Sequence, residues 1–125
     1  MSDILHDLHG VRVLELSADG PAIDVDRGAS DVLSAAWSAG ARMAAIPVAR
    51  LGTEFLRLGT GQAGAFLQKF VNDRMRVVIL GDTAAAAAAS DALRDFIRES
   101  NRGRHVWFVA DIAELRTRLA AELNA

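Results

Sequence analysis

The sequence contains no cysteine, so a disulfide, a thiolate nucleophile and a sulfur-ligated zinc or iron–sulfur centre are excluded. It also lacks an apolar run near the roughly 20 residues that span a bilayer. The longest candidate, Ala84–Ala89, is an alanine run typical of helix. The first residues carry acid instead of the basic flank and apolar run of a secretory signal. We therefore expect a cytoplasmic protein that does not enter a membrane.

The chain has little excess of either charge. Its 14 basic and 16 acidic residues give a net charge of −2, which provides no broad positive field for nucleic acid. Hydrophobic residues make up 51% of the 125 residues and charged residues 24%, as in ordinary globular proteins. The sequence thus predicts one domain with its own core and no nucleic-acid partner.

Apolar periodicity predicts alternating strands and helices along the chain. Two apolar runs, residues 11–16 and 22–25, flank the turn residues Asp19-Gly20-Pro21 and predict a β-hairpin, preceded by a frayed arm at residues 1–9. Ser30 is predicted to cap the first helix, which ends at Gly40. Further strands are predicted at residues 43–48, 76–80 and 105–109, and further helices at residues 84–99 and 112–123. A second helix is predicted within the glycine-opened stretch 58–70, from the apolar stripe Ala63, Phe66, Leu67 and Phe70. The loop at residues 101–104 suits a helix C-terminus.

The predicted order is β-β-α-β-α-β-α-β-α. Such alternation favours an α/β fold with a mostly parallel five-stranded sheet, one antiparallel strand and helices on both faces. In sheets of this kind ligands collect beyond the carboxyl ends of the strands. Any binding site is therefore expected at that edge of the sheet.

The stretch Gly59-Thr60-Gly61-Gln62-Ala63-Gly64 matches the G-x-G-x-x-G dinucleotide fingerprint and opens a predicted helix. Asp82, after the next strand, has the spacing of the acid that binds ribose. The fingerprint must follow a buried strand, however, and residues 54–58 include Arg57. Nucleotide or dinucleotide binding is therefore a second alternative, and a tight turn with close helix packing is the simpler interpretation.

A second group of polar residues gathers at predicted loop ends. Asp82 and Asp111 follow strands, while Glu54, Thr60 and Gln62 lie near the start of the second helix, so the five side chains could share a rim. The alternative is that Asp82 (or Thr83) and Asp111 merely cap the following helices. The runner-up function is a small cofactor-independent enzyme that uses polar groups such as Asp82, Glu99 or His105 in a pocket at the strand ends. The secondary candidate site residues are Glu54, Glu99, Asn101, His105 and Asp111.

Other catalytic signatures are absent from the sequence. It has no G-x-S-x-G elbow, no P-loop Lys-hydroxyl pair and no H-E-x-x-H motif. His6 and His9 would form only half of a metal site. The sequence therefore predicts neither a metal nor a cofactor, and enzymatic activity is not the favoured interpretation.

Residues 55–70, the run Val77-Val-Ile-Leu-Gly-Asp82 and residues 93–103 together resemble the bacterial family called domain of unknown function 4180. The likeness covers residues 55–109. The family has no agreed activity, so the resemblance implies a fold but no catalytic residues.

A more distant resemblance is to the STAS domain of sulphate transporters and anti-sigma-factor antagonists, whose order of strands and helices is similar. In that domain a strand leads into an Asp-Ser/Thr-Gly-Leu loop, and its hydroxyl residue can be phosphorylated. The resemblance places Thr60 at the hydroxyl, with Gly59 where the STAS motif has aspartate. The alternative is that Thr60 only caps the second helix. The resemblance implies a regulatory module that recognises a protein or small ligand around Thr60, Gly61, Gln62, Gly64 and Asp82. A homodimer is also expected, through an edge strand of the hairpin.

Overall fold

The computed structural model describes residues 3–25, 27–57, 59 and 61–124. Five strands form one sheet in sequential order. They are β1 (Ile4–Leu8), β2 (Val11–Glu15), β3 (Met43–Pro47), β4 (Arg76–Leu80) and β5 (Val106–Val109). Strand β1 pairs antiparallel with β2, and all other neighbours are parallel. The predicted mostly parallel five-stranded sheet with one antiparallel strand is confirmed.

The helices in the described part of the chain are α1 (Gly28–Ser38), α2 (Gln62–Asn72), α3 (Ala84–Ala89), α4 (Asp91–Arg102) and α5 (Ile112–Leu123). One face of the sheet packs against α1, α2 and α4, and the other packs against α5. Strand β3 is buried throughout, as its continuous apolar sequence predicts, because both of its faces are covered. No helix among these residues is long and apolar enough to cross a membrane.

The predicted hairpin pairing of residues 11–16 with residues 22–25 is wrong. Strand β2 pairs with Ile4–Leu8, not with residues 22–25, which form a loop held by a 2.7 Å hydrogen bond from Ile23 N to Arg50 O. The strands join through His9 and Gly10, whose positive φ angles of 53° and 86° suit a two-residue hairpin turn. Residues 4–8 of the expected frayed arm are therefore an edge strand. The polar side chains in the middle of that strand had hidden its extended pattern.

Two predicted helix boundaries are also corrected. The single helix at residues 84–99 is two helices, because Ser90 adopts an extended backbone and its Oγ accepts a 3.1 Å hydrogen bond from Leu93 N at the start of α4. Ser30 is not a cap, since α1 already begins at Gly28. A Cβ at Gly28 would lie 2.5 Å from Ile23 Cγ2, so the loop packs directly on the helix start.

The apolar stripe predicted for α2 is confirmed, because Ala63, Phe66, Leu67 and Phe70 are all buried. The Phe66 ring lies 5.7 Å from the Phe55 ring in an edge-to-face arrangement and 5.2 Å from the Phe70 ring. These three rings anchor α2 and the preceding 3-10 turn, Thr53–Leu56, against the sheet.

At the amino ends of the parallel strands, Glu122 of α5 binds two arginines. It accepts hydrogen bonds of 3.1 and 3.0 Å from Arg76 and of 3.2 and 3.1 Å from Arg104. The guanidinium groups of Arg76 and Arg118 lie 4.7 and 4.1 Å from the ring centroid of Trp107. The hydrogen bond from Arg104, assisted by Arg76 and opposed by desolvation, holds the pKa of the Glu122 carboxyl below its ordinary value. This cluster joins the end of α5 to the starts of β4 and β5.

The Glu122 cluster predicts a pH-dependent contribution to stability. Because the pKa of Glu122 is lower in the folded than in the unfolded chain, its stabilisation is present above the unfolded value of about 4.3 and is lost as pH falls through the folded value. We expect Glu122→Gln to lower the free energy of unfolding at pH 7, and the deficit to shrink in acid. Urea unfolding across a pH series measures this.

The matched control is Glu99→Gln, because Glu99 makes only an exposed 3.2 Å ion pair with Arg102 on α4. We expect this control to change stability little at any pH. A Glu122→Gln deficit that stays constant from neutral to acidic pH would contradict the assignment.

Candidate functional site

The carboxyl ends of β2 to β5 meet at one edge of the sheet, where two open hollows lie side by side. The larger hollow, of about 510 Å³, lies between the strand ends and the first turn of α5. The smaller one, of about 290 Å³, lies between the end of β5 and the start of α3. Both are lined by Gly81 and Ala110. We call the combined area the carboxyl-edge surface and define it by Glu15, Gly81, Asp82, Ala110, Asp111 and Ala113.

Gly81 allows this surface to form. Its φ of +140° is one that residues with a side chain rarely adopt. A Cβ at this position would lie 2.5 Å from Val48 Cγ1, in the 3-10 turn Val48–Arg50 that follows β3. The chain leaving β4 therefore crosses close over the chain leaving β3, and only glycine fits between them.

The structure brings Asp82 and Asp111 to this edge, as the sequence predicts, and it also gives both of them capping contacts. Asp82 Oδ1 accepts a 2.9 Å hydrogen bond from Ala84 N at the start of α3. Asp111 Oδ1 accepts a 2.9 Å bond from Glu114 N, and Glu114 Oε1 accepts a 2.6 Å bond from Ala110 N. These bonds fix both carboxylates relative to the sheet while leaving them exposed to solvent.

Glu15 is a member of this surface that sequence reasoning missed. It ends β2, lines the larger hollow, and lies 2.8 Å from His6 Nε2 on β1. Their side chains are 27% and 20% exposed, so the pair is partly desolvated. The contact depends on the pairing of β1 with β2. A sequence analysis that paired residues 11–16 with residues 22–25 could therefore not predict it. Within the described part of the chain, no three potential metal ligands come together.

The glycine-rich stretch leads into α2 through Gly61, which has a left-handed φ of 75°. The 3-10 turn Thr53–Leu56 precedes it, where the dinucleotide fingerprint requires a strand. A Cβ at Gly59 or Gly64 would meet nothing within 4 Å, so neither glycine serves close packing. Gln62 is half-buried. Thr60 and the side chain of Glu54, both candidate site residues, lie outside what the structure describes.

Three secondary candidates lie away from the carboxyl-edge surface. His105 precedes β5, at the opposite end from Asp111, where its Nε2 lies 3.0 Å from Met75 O and 3.3 Å from Phe70 O. Asn101 of α4 binds the backbone of Phe108, and Glu99 pairs with Arg102. The described contacts of these side chains tie elements together and do not join the predicted rim.

These observations define a small mixed α/β domain whose candidate site lies at the carboxyl ends of its parallel strands. The chain belongs to the family described as "Domain of unknown function (DUF4180)", whose model matches residues 8–119. This confirms the resemblance seen at residues 55–109 and extends it over most of the chain. A search of curated proteins and a search of solved structures each found no match. The STAS relationship accordingly stays a prediction.

Proposed function

We propose that the chain is a regulatory binding module that recognises a protein partner at the carboxyl-edge surface. The observation that carries this proposal is the construction of that surface: exposed carboxylates held in place by backbone N–H groups, around two open hollows with small side chains between them. A surface whose polar groups are fixed in advance binds with less loss of side-chain entropy.

The contacts of Asp82 and Asp111 favour recognition over proton transfer. A general acid or base is typically set apart by burial or by a neighbouring charge, which shifts its proton affinity toward the working pH. Both carboxylates are exposed to solvent and accept backbone N–H hydrogen bonds, Asp82 from Ala84 at the start of α3 and Asp111 from Glu114 in the first turn of α5. Their fixed negative charges are suited to orienting a partner.

The charge of the surface indicates the kind of partner. Glu15, Asp82, Asp111 and Glu114 all line its hollows, and among the described residues no lysine or arginine does. A partner that presents lysine or arginine side chains is complementary to this surface, because matched charges speed association and exclude acidic competitors. We therefore propose a partner with a basic segment.

We extend the proposed recognition surface to the residues at the start of α2. The STAS resemblance implies that Thr60, Gly61 and Gln62 form part of the recognition surface. If Thr60 were phosphorylated, it would gain a charge of about −1.5 to −2, which is enough to break or create a protein contact.

Two alanines of α5 provide a matched test of the proposed surface. Ala113 lines the larger hollow in the first turn, and Ala121 is exposed in the last turn, at the other end of the sheet. We expect Ala113→Arg to fill the hollow, neutralise nearby acid and abolish recovery of the partner by affinity purification. Ala121→Arg should leave recovery unchanged, and the recovered partner should bind the purified wild-type chain in calorimetry.

Equal recovery with Ala113→Arg and Ala121→Arg would contradict the proposed surface. Loss with both variants would contradict it as well, provided that each variant retains the wild-type circular dichroism spectrum. Raising the salt concentration should weaken the wild-type complex if charge attraction contributes to it.

A small enzyme without metal or cofactor is the second candidate function. The 2.8 Å contact between His6 and Glu15 at the border of the larger hollow favours it, because a carboxylate paired with an imidazole can move a proton. A metabolite screen by thermal shift, followed by mass spectrometry of the compounds that bind, tests for turnover. Turnover that Glu15→Gln abolishes while binding persists would favour the enzyme. NAD, NADP and FAD in the same screen test nucleotide binding.

A further inference from the structure

The two edges of the sheet are finished differently. At the β5 edge, the side-chain amide of Asn101 occupies the outward backbone groups of Phe108, as a neighbouring strand would. Its Nδ2 donates to Phe108 O at 3.2 Å and its Oδ1 accepts from Phe108 N at 2.7 Å. No comparable side-chain cover reaches the outer side of β1 from any described residue. Uncovered edge strands present unpaired N–H and C=O groups that another strand can pair with.

Hydrogen bonds on β2 show which groups of β1 face outward. Arg12 O accepts a 2.8 Å bond from Arg42 N, and Leu16 N donates a 2.9 Å bond to Ala45 O, so the even-numbered positions of β2 face β3. The odd-numbered positions therefore face β1, where Val13 lies opposite His6. The backbone groups of Leu5 and Asp7, which alternate with His6, consequently point away from the sheet.

Two of the three exposed side chains of β1 are apolar, and the third is Asp7. Ile4 is 53% exposed and Leu5 is 45% exposed, on opposite faces of the strand. The strand sequence, ILHDL, contains neither the proline nor the lysine that commonly blocks pairing at an edge. A further strand alongside β1 would cover both apolar side chains and satisfy the outward backbone groups.

We propose that the chain forms a two-fold dimer in which β1 pairs antiparallel with β1 of a second copy, so that the two sheets continue into one of ten strands. An antiparallel pair of identical strands is self-complementary under a two-fold axis, so one surface serves both copies. Because Asn101 covers the β5 edge, β1 is the one edge of the described sheet on each copy that can pair with another chain. Assembly therefore stops at two chains.

Charge selects the register of this pairing. With the axis at Leu5, Asp3 would lie directly opposite Asp7 of the partner subunit, and like charges in that position are destabilising. With the axis at His6, Leu5 faces Asp7 of the partner subunit, Asp3 faces His9 of the partner subunit and Ile4 faces Leu8 of the partner subunit. We assign the register with the axis at His6. In it, the outward backbone N–H and C=O groups of Leu5 and Asp7 form hydrogen bonds with the partner strand.

A proline substitution separates the dimer from the monomer fold. Because the Leu5 N–H makes no bond within the sheet, Leu5→Pro removes a contact between copies while the β1–β2 ladder is retained. Light scattering over micromolar to millimolar concentrations should show the wild-type mass rising from 13.3 kDa towards twice that value. Leu5→Pro should stay at 13.3 kDa throughout.

The control is Val71→Lys, which changes another exposed apolar residue, 36% exposed, on α2. We expect it to dimerise like the wild type. Because the chain has no cysteine, His6→Cys adds a single thiol whose mate across the assigned axis has its Cα about 4.5 Å away, so mild oxidation should cross-link it. A wild type that stays monomeric, a Leu5→Pro variant that still dimerises, or a dimeric His6→Cys variant that does not cross-link would overturn the proposal.

Discussion

Replacing Phe66 with alanine should destabilise the domain by about 3–5 kcal/mol, the usual cost of truncating a fully buried phenylalanine. Phe66 is 0% exposed and contacts the rings of Phe55 and Phe70, so its removal leaves a cavity and breaks two aromatic contacts. The melting temperature should fall by about 10–20 °C for a domain of this size. Urea unfolding followed by circular dichroism measures the free energy directly.

Val71→Ala on the same helix is the control for Phe66→Ala. Val71 is 36% exposed, and alanine has the higher helix propensity, so its effect should stay within about 0.5 kcal/mol. A loss below about 1 kcal/mol for Phe66→Ala would show that the three rings do not form the anchor of α2. The denaturant dependence should be similar in all variants, since each unfolds the same domain.

The second large effect is expected from Gly81→Ala. A side chain at a φ of +140° carries backbone strain of about 1–3 kcal/mol, and the new Cβ would lie 2.5 Å from Val48 Cγ1, which adds an overpacking cost of about 1–3 kcal/mol. Because Gly81 lines both hollows, the displaced backbone should also weaken partner binding at the carboxyl-edge surface. Chemical denaturation and the affinity measurement described above test the two consequences separately.

Gly64→Ala is the matched control, because a Cβ there would meet nothing within 4 Å and the position is helical and exposed. Alanine should stabilise α2 by about 0.4–1 kcal/mol, opposite in sign to the effect at Gly81. Adding Val48→Ala to Gly81→Ala should recover the overpacking part and leave the backbone strain. Additive effects of the two substitutions would rule out the contact between these residues as the cause.

Much of the architecture could be predicted because it depends on local patterns. The fully apolar run of β3 indicated a strand covered on both faces, and the spacing of Phe66 and Phe70 indicated the buried face of α2. Asp82 and Asp111 were placed correctly at the carboxyl edge, since parallel strands end on the same side of a sheet.

The wrong predictions concern segments whose structure depends on which other segment they pack against or pair with. Residues 22–25 have the composition of a strand, yet the 2.7 Å bond from Ile23 N to Arg50 O holds them in a loop. The segment Ile4–Leu8, with His6 and Asp7 in its middle, pairs with β2 in their place. Ser90 interrupts the helix predicted at residues 84–99 because its side chain caps a new helix better than it continues the old one. Local preference alone could not rank these choices.

The sequence by itself determined the α/β class of the fold, the order of most of its elements, and the family to which the chain belongs. Hydrophobic periodicity carries that information, because burial is the dominant driving force and each element must bury one face. Only the tertiary structure decided three features. The side chain of Glu15 contacts that of His6, the backbone of Gly81 packs against Val48, and β1 is an edge strand of the sheet. These are contacts between residues distant along the chain or consequences of strand pairing, and both depend on which strands become neighbours.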